Sequence, residues 1–448
     1  MLATVMGSGA VFVEMTVVNV ALPSIARDLD LGLAGLQWIL DGFLLTLGAL
    51  ILLGGALGDV FGRGRIFTLG AVGFAVTSVL VAVAPGIGTL ITLRLLQGAA
   101  GAMLVPNSLA LLETVFAEDE RGRAIGQWAG WSGASTAIGP LLGGALLEVT
   151  SWRIIFAIVA PFALLAAWLA RRSLPAANTT DARAVDYPGA VLATLGLGGL
   201  ITMLISGPTA GFTTPWVVAV GAGGCALLVA FLWYERRTGT PLLPLTMFRS
   251  RAFTGANVTT LLVYAALSGL FFLLMLQLQN GLGISPLSAG AALLPINFLL
   301  VVLSPFAGGW ATRIGARLPM TLGASLAGAG MLLFVRVQPG ADYIRAILPA
   351  LVVFGLGLGL LVAPLTAAVL EAAPQELKGV ASAFNNAVAR IAGLLAVALL
   401  PLAAGMAGTG DIGGATLTRG FARAMVISAG LCFCGAVVAF FTMDSTRD

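Results

Sequence analysis

No histidine occurs among the 448 residues, and lysine occurs once, as Lys378. Without His, neither a Ser-His-Asp nor a Cys-His nucleophile can be assembled. The three cysteines, Cys225, Cys432 and Cys434, all fall inside apolar runs, so no Cys/His cluster is available for zinc or iron. The lone Lys stands in Leu377-Lys378-Gly379, which excludes the G-x-x-x-x-G-K-[ST] phosphate loop. Charge itself is scarce: 9% of residues are Asp, Glu, Lys or Arg, against about a quarter in soluble domains. With 59% hydrophobic residues and a mean hydropathy of +1.02, a soluble globular domain is excluded. In so apolar a chain the net charge of +4 reflects topology rather than nucleic-acid binding. An enzyme is not expected.

What is present is a series of long apolar runs. A hydrocarbon core about 30 Å thick takes about 20 apolar residues per helical span. The runs place spans at 3–25, 37–57, 66–84, 88–112, 124–147 and 152–170, then 188–206 and 215–234, then 253–278, 287–310, 318–335, 344–366, 379–402 and 421–442. The first run has no basic segment before it and no small-residue cleavage site after it, and so reads as an uncleaved span. The runs are continuous and about twice the length of membrane β-strands, which leaves helices. The 59 glycines suit close helix contacts in a membrane. The FGLGLG run (354–359) lies mid-span with no strand before it and is read as packing rather than a dinucleotide loop. The expected organisation is a six-helix bundle over 1–170, two inserted spans with flanking loops over 171–252, and a second six-helix bundle over 253–448.

Cytoplasmic loops retain positive charge. Fifteen Arg and Lys residues lie on the side of the termini and six on the other, Arg27, Arg153, Arg336, Arg345, Arg419 and Arg423. Both termini are therefore expected in the cytoplasm, as an even number of spans requires. A hairpin is repeated: GGALGDVFGRGR (54–65) follows the second span, and GGWATRIGAR (308–317) follows the second span of the last block. Parallel halves related by such a repeat commonly build carriers with a mid-membrane site.

Four ionisable residues fall inside spans: Glu14, Asp41, Arg94 and Arg390. Charge at that depth is costly and marks function by default. Counted from the expected outer ends, Glu14 lies roughly 16 Å deep, Asp41 roughly 6 Å, and Arg94 roughly 10 Å, between the two. A buried carboxylate near a guanidinium can exchange protons near neutral pH; a static ion pair is the other reading. Arg390 has no acid deep enough in its own block, so its partner is either Glu14 or an acid group of a substrate.

These residues sit in motifs that resemble the major facilitator superfamily, specifically its fourteen-span drug/proton antiporter branch, over nearly the whole chain. VEMTVVNVALP (13–23) is similar to the branch's D-x-T-V-V-N-V-A-L-P, with Glu14 for Asp and with Asn19 and Pro23 kept. QWILDGFLL (37–45) resembles W-I-V-D-A-Y-x-L and places Asp41 at a position implicated in proton handling. GALGDVFGRGR (55–65) matches the superfamily's hairpin, with Val60 and Gly64 where basic residues are common. The resemblance implies that Asp59 and Arg63 pair with Glu113 as a conformational latch. In the second-half hairpin Thr312 stands where Asp would be, implying a weaker latch there. LRLLQGAAGAM (93–103) resembles R-x-x-Q-G and implies proton transfer at Arg94. SGASTAIGPLLGG (132–144) resembles the antiporter pattern G-x-x-x-G-P-x-x-G-G, with Ser135 for its first Gly. It implies a bend and a close helix contact at Gly139, Pro140, Gly143 and Gly144.

The resemblance implies an all-α polytopic membrane protein of the major facilitator fold, with 14 transmembrane helices. It would export amphipathic small molecules or drugs across the inner membrane in exchange for protons, as a monomer without cofactor or metal. Candidate substrate residues are Asn19, Trp128, Trp131, Tyr264, Phe271, Gln277, Asn386 and Arg390. Trp38, Phe272, Met275, Asn297 and Phe298 could also line such a cavity. The buried charges sum to zero, which leaves neutral, zwitterionic or weakly anionic substrates open. A dedicated exporter of one metabolite, antibiotic or lipid, and a non-transporting membrane sensor, are the alternatives.

Overall fold

The computed structural model describes residues 1–173, 185–239, 241–242, 244–406, 408 and 413–443, without the side chains of 113, 118, 119, 122, 129 and 376. Most of the loop between the first block and the inserted pair, including Arg183, therefore lies outside the described residues.

Fourteen long helical segments follow one another: α1 (Leu2–Leu29), α2 (Leu33–Phe61), α3 (Arg63–Ala82), α4 (Ile87–Val115), α5 (Glu118–Val149), α6 (Trp152–Ser173), α7 (Tyr187–Ala210), α8 (Pro215–Glu235), α9 (Arg251–Gly281), α10 (Pro286–Ile314), α11 (Arg317–Arg336), α12 (Tyr343–Glu371), α13 (Lys378–Ala403) and α14 (Gly414–Thr442). Thirteen are long and apolar enough to cross a membrane. The other is α5, whose 32 residues include a charged first turn and many Gly, Ser and Thr. The chain is a multi-pass membrane protein, and no strand occurs among the described residues.

Each expected span coincides with one of these helices; most run further at their ends, whereas α3, expected to 84, stops at Ala82. The second was expected from 37 and begins at Leu33. Helix α6 is interrupted at Ile158, and α9 ends in a π-turn, Gln277–Gly281. Polar side chains start several helices: Asp186 accepts from Gly189 N–H, Ser250 from Phe253 N–H and Asp342 from Arg345 N–H.

The chain divides into two compact units, Met1–Leu243 and Pro244–Asp448. In the first, α4 packs on α2 and α3, α5 lies along α1, and α6 packs on α3 and α1. In the second, α12 packs on α10 and α11, α13 lies along α9, and α14 packs on α11 and α9. The same pairing scheme therefore recurs in both. Helices α7 and α8, expected as an inserted pair, pack on each other, and α7 also packs on α2 within the first unit. The repeated hairpins turn on matching glycines: Gly62 (φ 94°) separates α2 from α3 and Gly315 (φ 80°) separates α10 from α11. That left-handed backbone favours glycine at both turns.

Candidate functional site

The first unit's polar centre is built on α4. At Gly98 a Cβ would collide with the Phe43 carbonyl and Thr46 Oγ1, and at Gly54 with the Ala102 carbonyl, so glycine lets α2 and α4 touch backbone to backbone. This approach delivers Arg94, one turn before Gly98, into the interface. Its Nε donates to the Ile39 carbonyl on α2 at 3.0 Å, and one Nη donates to Glu14 Oε1 on α1 and to Gln97 Oε1 at 2.7 Å. Gln97 Nε2 donates to the other Glu14 oxygen at 2.6 Å and to Ser78 Oγ on α3 at 2.7 Å. The guanidinium lies over the Phe43 ring, 4.4 Å from its centroid, and 5.6 Å from that of Phe156 on α6. Five helices thus converge on one carboxylate, whose residue, like Gln97 and Ser78, is 0% exposed. Charge-assisted bonds of this kind hold a buried ion pair only when every oxygen is satisfied, as both are.

Asp41 differs in its partners. It too is 0% exposed on α2, yet neither carboxylate oxygen has a hydrogen-bond partner among the described residues. Arg94, whose counted depth fell between those of the two acids, pairs with Glu14. Glu14 lies fifteen residues from the C-terminal end of α1, roughly 22 Å, and Arg94 seven from the N-terminal end of α4, roughly 10 Å, yet they pair. Helix ends stop at unequal levels, so depth counted from an end misplaces a partner, and Asp41 itself is eight residues in rather than four.

Helix α5 meets α1 beside this centre. A Cβ on Gly139 would collide with Thr16 Oγ1 and lie 3.0 Å from the Val13 carbonyl; one on Gly143 would collide with Val17 Cγ2. Ser135 Oγ lies 2.9 Å from the Cβ position of Gly9, whereas Gly133 faces nothing within 4 Å. The contact therefore runs through Ser135, Gly139 and Gly143 and brackets the turn carrying Glu14. Pro140 and Gly144 lie buried within the continuous helix.

At the end of α2, Arg63 Nε donates to Asp59 Oδ1 at 3.0 Å and its Nη to the Ala110 carbonyl of α4 at 3.0 Å. The side chain of Glu113, the third member of the expected latch, lies outside the described residues. Trp128 Nε1 donates to Ser8 Oγ at 3.2 Å, Ser8 donates to Ser108, and the indole meets Phe12 edge-on. Asn19 Nδ2 donates to the Met15 carbonyl, and Trp131 is exposed.

In the second unit Arg390 on α13 and Tyr264 on α9 are both half-buried, on helices that pack along each other. Asn386 is exposed one turn before Arg390, and Phe271 is half-buried on α9. Gln277 does not join them. It is fully buried, and its Nε2 donates to the Val337 carbonyl at 3.1 Å and to Thr418 Oγ1 at 3.3 Å. Sequence reasoning did not find Ser78, Phe43, Phe156 or the Ile39 carbonyl. Ser78 alone carried a signal, a polar residue within an apolar run. No group of three or more Cys, Asp or Glu poised for a metal occurs among the described residues.

The major facilitator superfamily model matches residues 4–397. The chain is 39% identical to a puromycin resistance protein of Streptomyces alboniger, over 98% of this chain and 90% of that protein. It is 33% identical to a multidrug resistance protein of Mycobacterium tuberculosis, over 89% of this chain and 74% of the relative. It is 34% identical to a tetracenomycin C resistance and export protein of Streptomyces glaucescens, with the same coverages. Matched motifs, a repeated helix-pairing scheme and these relatives lead to one assignment: the chain belongs to the major facilitator superfamily.

Proposed function

We propose that this protein exports amphipathic small molecules of the antibiotic class from the cytoplasm in exchange for protons, by alternating access, with Glu14 and Asp41 as its proton-carrying groups. The observation that carries the reading is the contrast inside the first unit between one carboxylate held by Arg94 and Gln97 and a second, Asp41, buried with no partner. An unpartnered buried carboxylate is costly as an anion, and a group in that setting has a reason to take up and give back a proton during a cycle. Arg94 holds Glu14 while it is charged, and protonation of Glu14 loosens that pair. The contact of α5 with α1 at Gly139 and Gly143 couples the position of α5 to the helix that carries Glu14. Asp59 and Arg63 bias one of two global states from the cytoplasmic ends of α2 and α4. The names of the relatives, which confer resistance to or export puromycin and tetracenomycin C, support an antibiotic as substrate.

The test is uptake into inverted vesicles carrying the purified protein under an imposed, inside-acid proton gradient, with puromycin and tetracenomycin C among a chemically diverse set of amphiphiles. Accumulation that collapses with a protonophore is expected. Accumulation indifferent to the gradient contradicts proton coupling, and none with any compound contradicts export.

A further inference from the structure

Three helices of the first unit are joined by a chain of hydrogen bonds that meets α1 six residues before Glu14. Trp128 Nε1 on α5 donates to Ser8 Oγ on α1 at 3.2 Å, Ser8 donates to Ser108 Oγ on α4 at 2.6 Å, and Ser108 donates to the Val105 carbonyl at 2.7 Å. An indole N–H can only donate, so it sets the direction of the chain: the hydroxyl that accepts it turns its own proton to Ser108. Ser8 and Ser108 are both 0% exposed, so solvent does not reach them to replace a missing donor. The indole also meets Phe12, one turn after Ser8, edge-on with ring centroids 6.4 Å apart.

The bond from Ser8 to Ser108 is a second link between α1 and α4, beside that of Glu14 with Arg94 and Gln97. Along α1 the two links are roughly 9 Å apart. Two links on one pair of helices fix slide and rotation together, whereas one alone leaves α1 free to pivot about it. On the other side of Glu14, α5 backs the same segment where Gly139 sits against Val13 and Thr16. Within the spans packed on α1, the ionisable groups are Arg94 on α4 and Asp41 on α2; Asp59, Glu113, Arg153, Arg171 and Arg172 stand at the ends of theirs, and α5 has none between 124 and 147. Arg94 is therefore the cation whose placement decides the charge on Glu14. We infer that Trp128, acting through Ser8 and Ser108, is a positioning residue for Glu14: the strap holds α1 in the register at which Arg94 and Gln97 grip the carboxylate. Its part in transport rests on the proton-coupled export proposed above; its hold on the geometry of Glu14 does not.

The test follows Glu14 itself, by infrared titration of the full-length protein in nanodiscs, where subtraction of Glu14→Gln isolates the band of the protonated carboxyl. Trp128→Phe removes the N–H and keeps a ring against Phe12, and Ser8→Ala removes the middle hydroxyl, so either variant tests the chain if the other does not fold. A looser grip by Arg94 favours the charged form less, and in both variants the band is expected to emerge at higher pH than in the parent, by at least about half a pH unit. Trp131→Phe, the same substitution on an exposed side chain of α5, is the control and should leave the band in place. A band unmoved in Trp128→Phe or in Ser8→Ala, or moved as far by Trp131→Phe, overturns the inference. A fall in puromycin affinity in Trp128→Phe beside an unmoved band makes Trp128 a substrate contact instead. A moved band in a protein that transports nothing would sink export and leave the strap; export with an unmoved band would do the reverse.

Discussion

The spans of Met1–Leu243 bury a carboxylate–guanidinium pair and a second carboxylate with no hydrogen-bond partner among the described residues, whereas those of Pro244–Asp448 carry, at mid-helix, the half-buried guanidinium of Arg390 and neutral amides, hydroxyls and a phenol. The helices nevertheless pair in the same order in both units and turn on matching glycines. One scaffold thus carries two chemistries. Packing, which is set by small residues and hairpin geometry, is what repeats, and charge is what has diverged. The fully buried carboxylates lie in the first unit, and the second carries a mid-helix charge on Arg390.

The sharpest way to break this comparison is at Arg94. Arg94→Ala strands a fully buried carboxylate and should cost about 3–5 kcal/mol, read as a fall in thermal midpoint in detergent. The double variant Glu14→Gln/Arg94→Met should recover most of that loss without recovering uphill export. If the single variant is as stable as the parent, the cluster is not a satisfied ion pair.

A smaller effect is expected at the α1–α5 contact. Gly139→Ala forces a methyl against Thr16 Oγ1 and the Val13 carbonyl and should cost about 1–3 kcal/mol. Gly133→Ala, six residues away with open space around it, should change stability by no more than about 0.5 kcal/mol. Equal effects at the two positions would dissolve the argument for a close contact.

Asp41 is the counter-case to Arg94. Because neither of its oxygens is bonded, Asp41→Asn should leave the thermal midpoint within about 1 kcal/mol of the parent, or raise it, while abolishing accumulation against a gradient. A large stability loss would reveal a partner. Smallest of all is the pair Asp59–Arg63, with side chains 59% and 30% exposed. Asp59→Asn should cost under about 1 kcal/mol and act on turnover instead, shifting spin-label distances across the α2–α3 end of the helices.

The order and rough limits of the spans were legible because apolar runs of membrane length have few alternative explanations; of the fourteen expected, thirteen coincide with helices long and apolar enough to cross. Their ends were not: α2 starts at Leu33 and α1 continues to Leu29, since helices extend past the hydrocarbon into segments whose composition is already polar. That Arg94 and Gln97 share a face was legible from their spacing of three. Which acid they would serve was not, because the choice between Glu14 and Asp41 depends on the rotation of α1 and α2, fixed by glycine contacts such as Gly98 on Phe43 and Gly139 on Thr16. For the same reason Gln277, which looked like a polar handle for substrate, proved to tie the end of α9 to the Val337 carbonyl and to α14.

The central claim is that the two carboxylates of the first unit carry the protons of the transport cycle. It is tested most directly by proton release on substrate addition, followed with a pH indicator in weakly buffered protein, in the parent, Glu14→Gln and Asp41→Asn. The account predicts release from the parent, a loss of release in at least one neutral variant, and retained substrate binding in that variant. Undiminished release from both variants would contradict it.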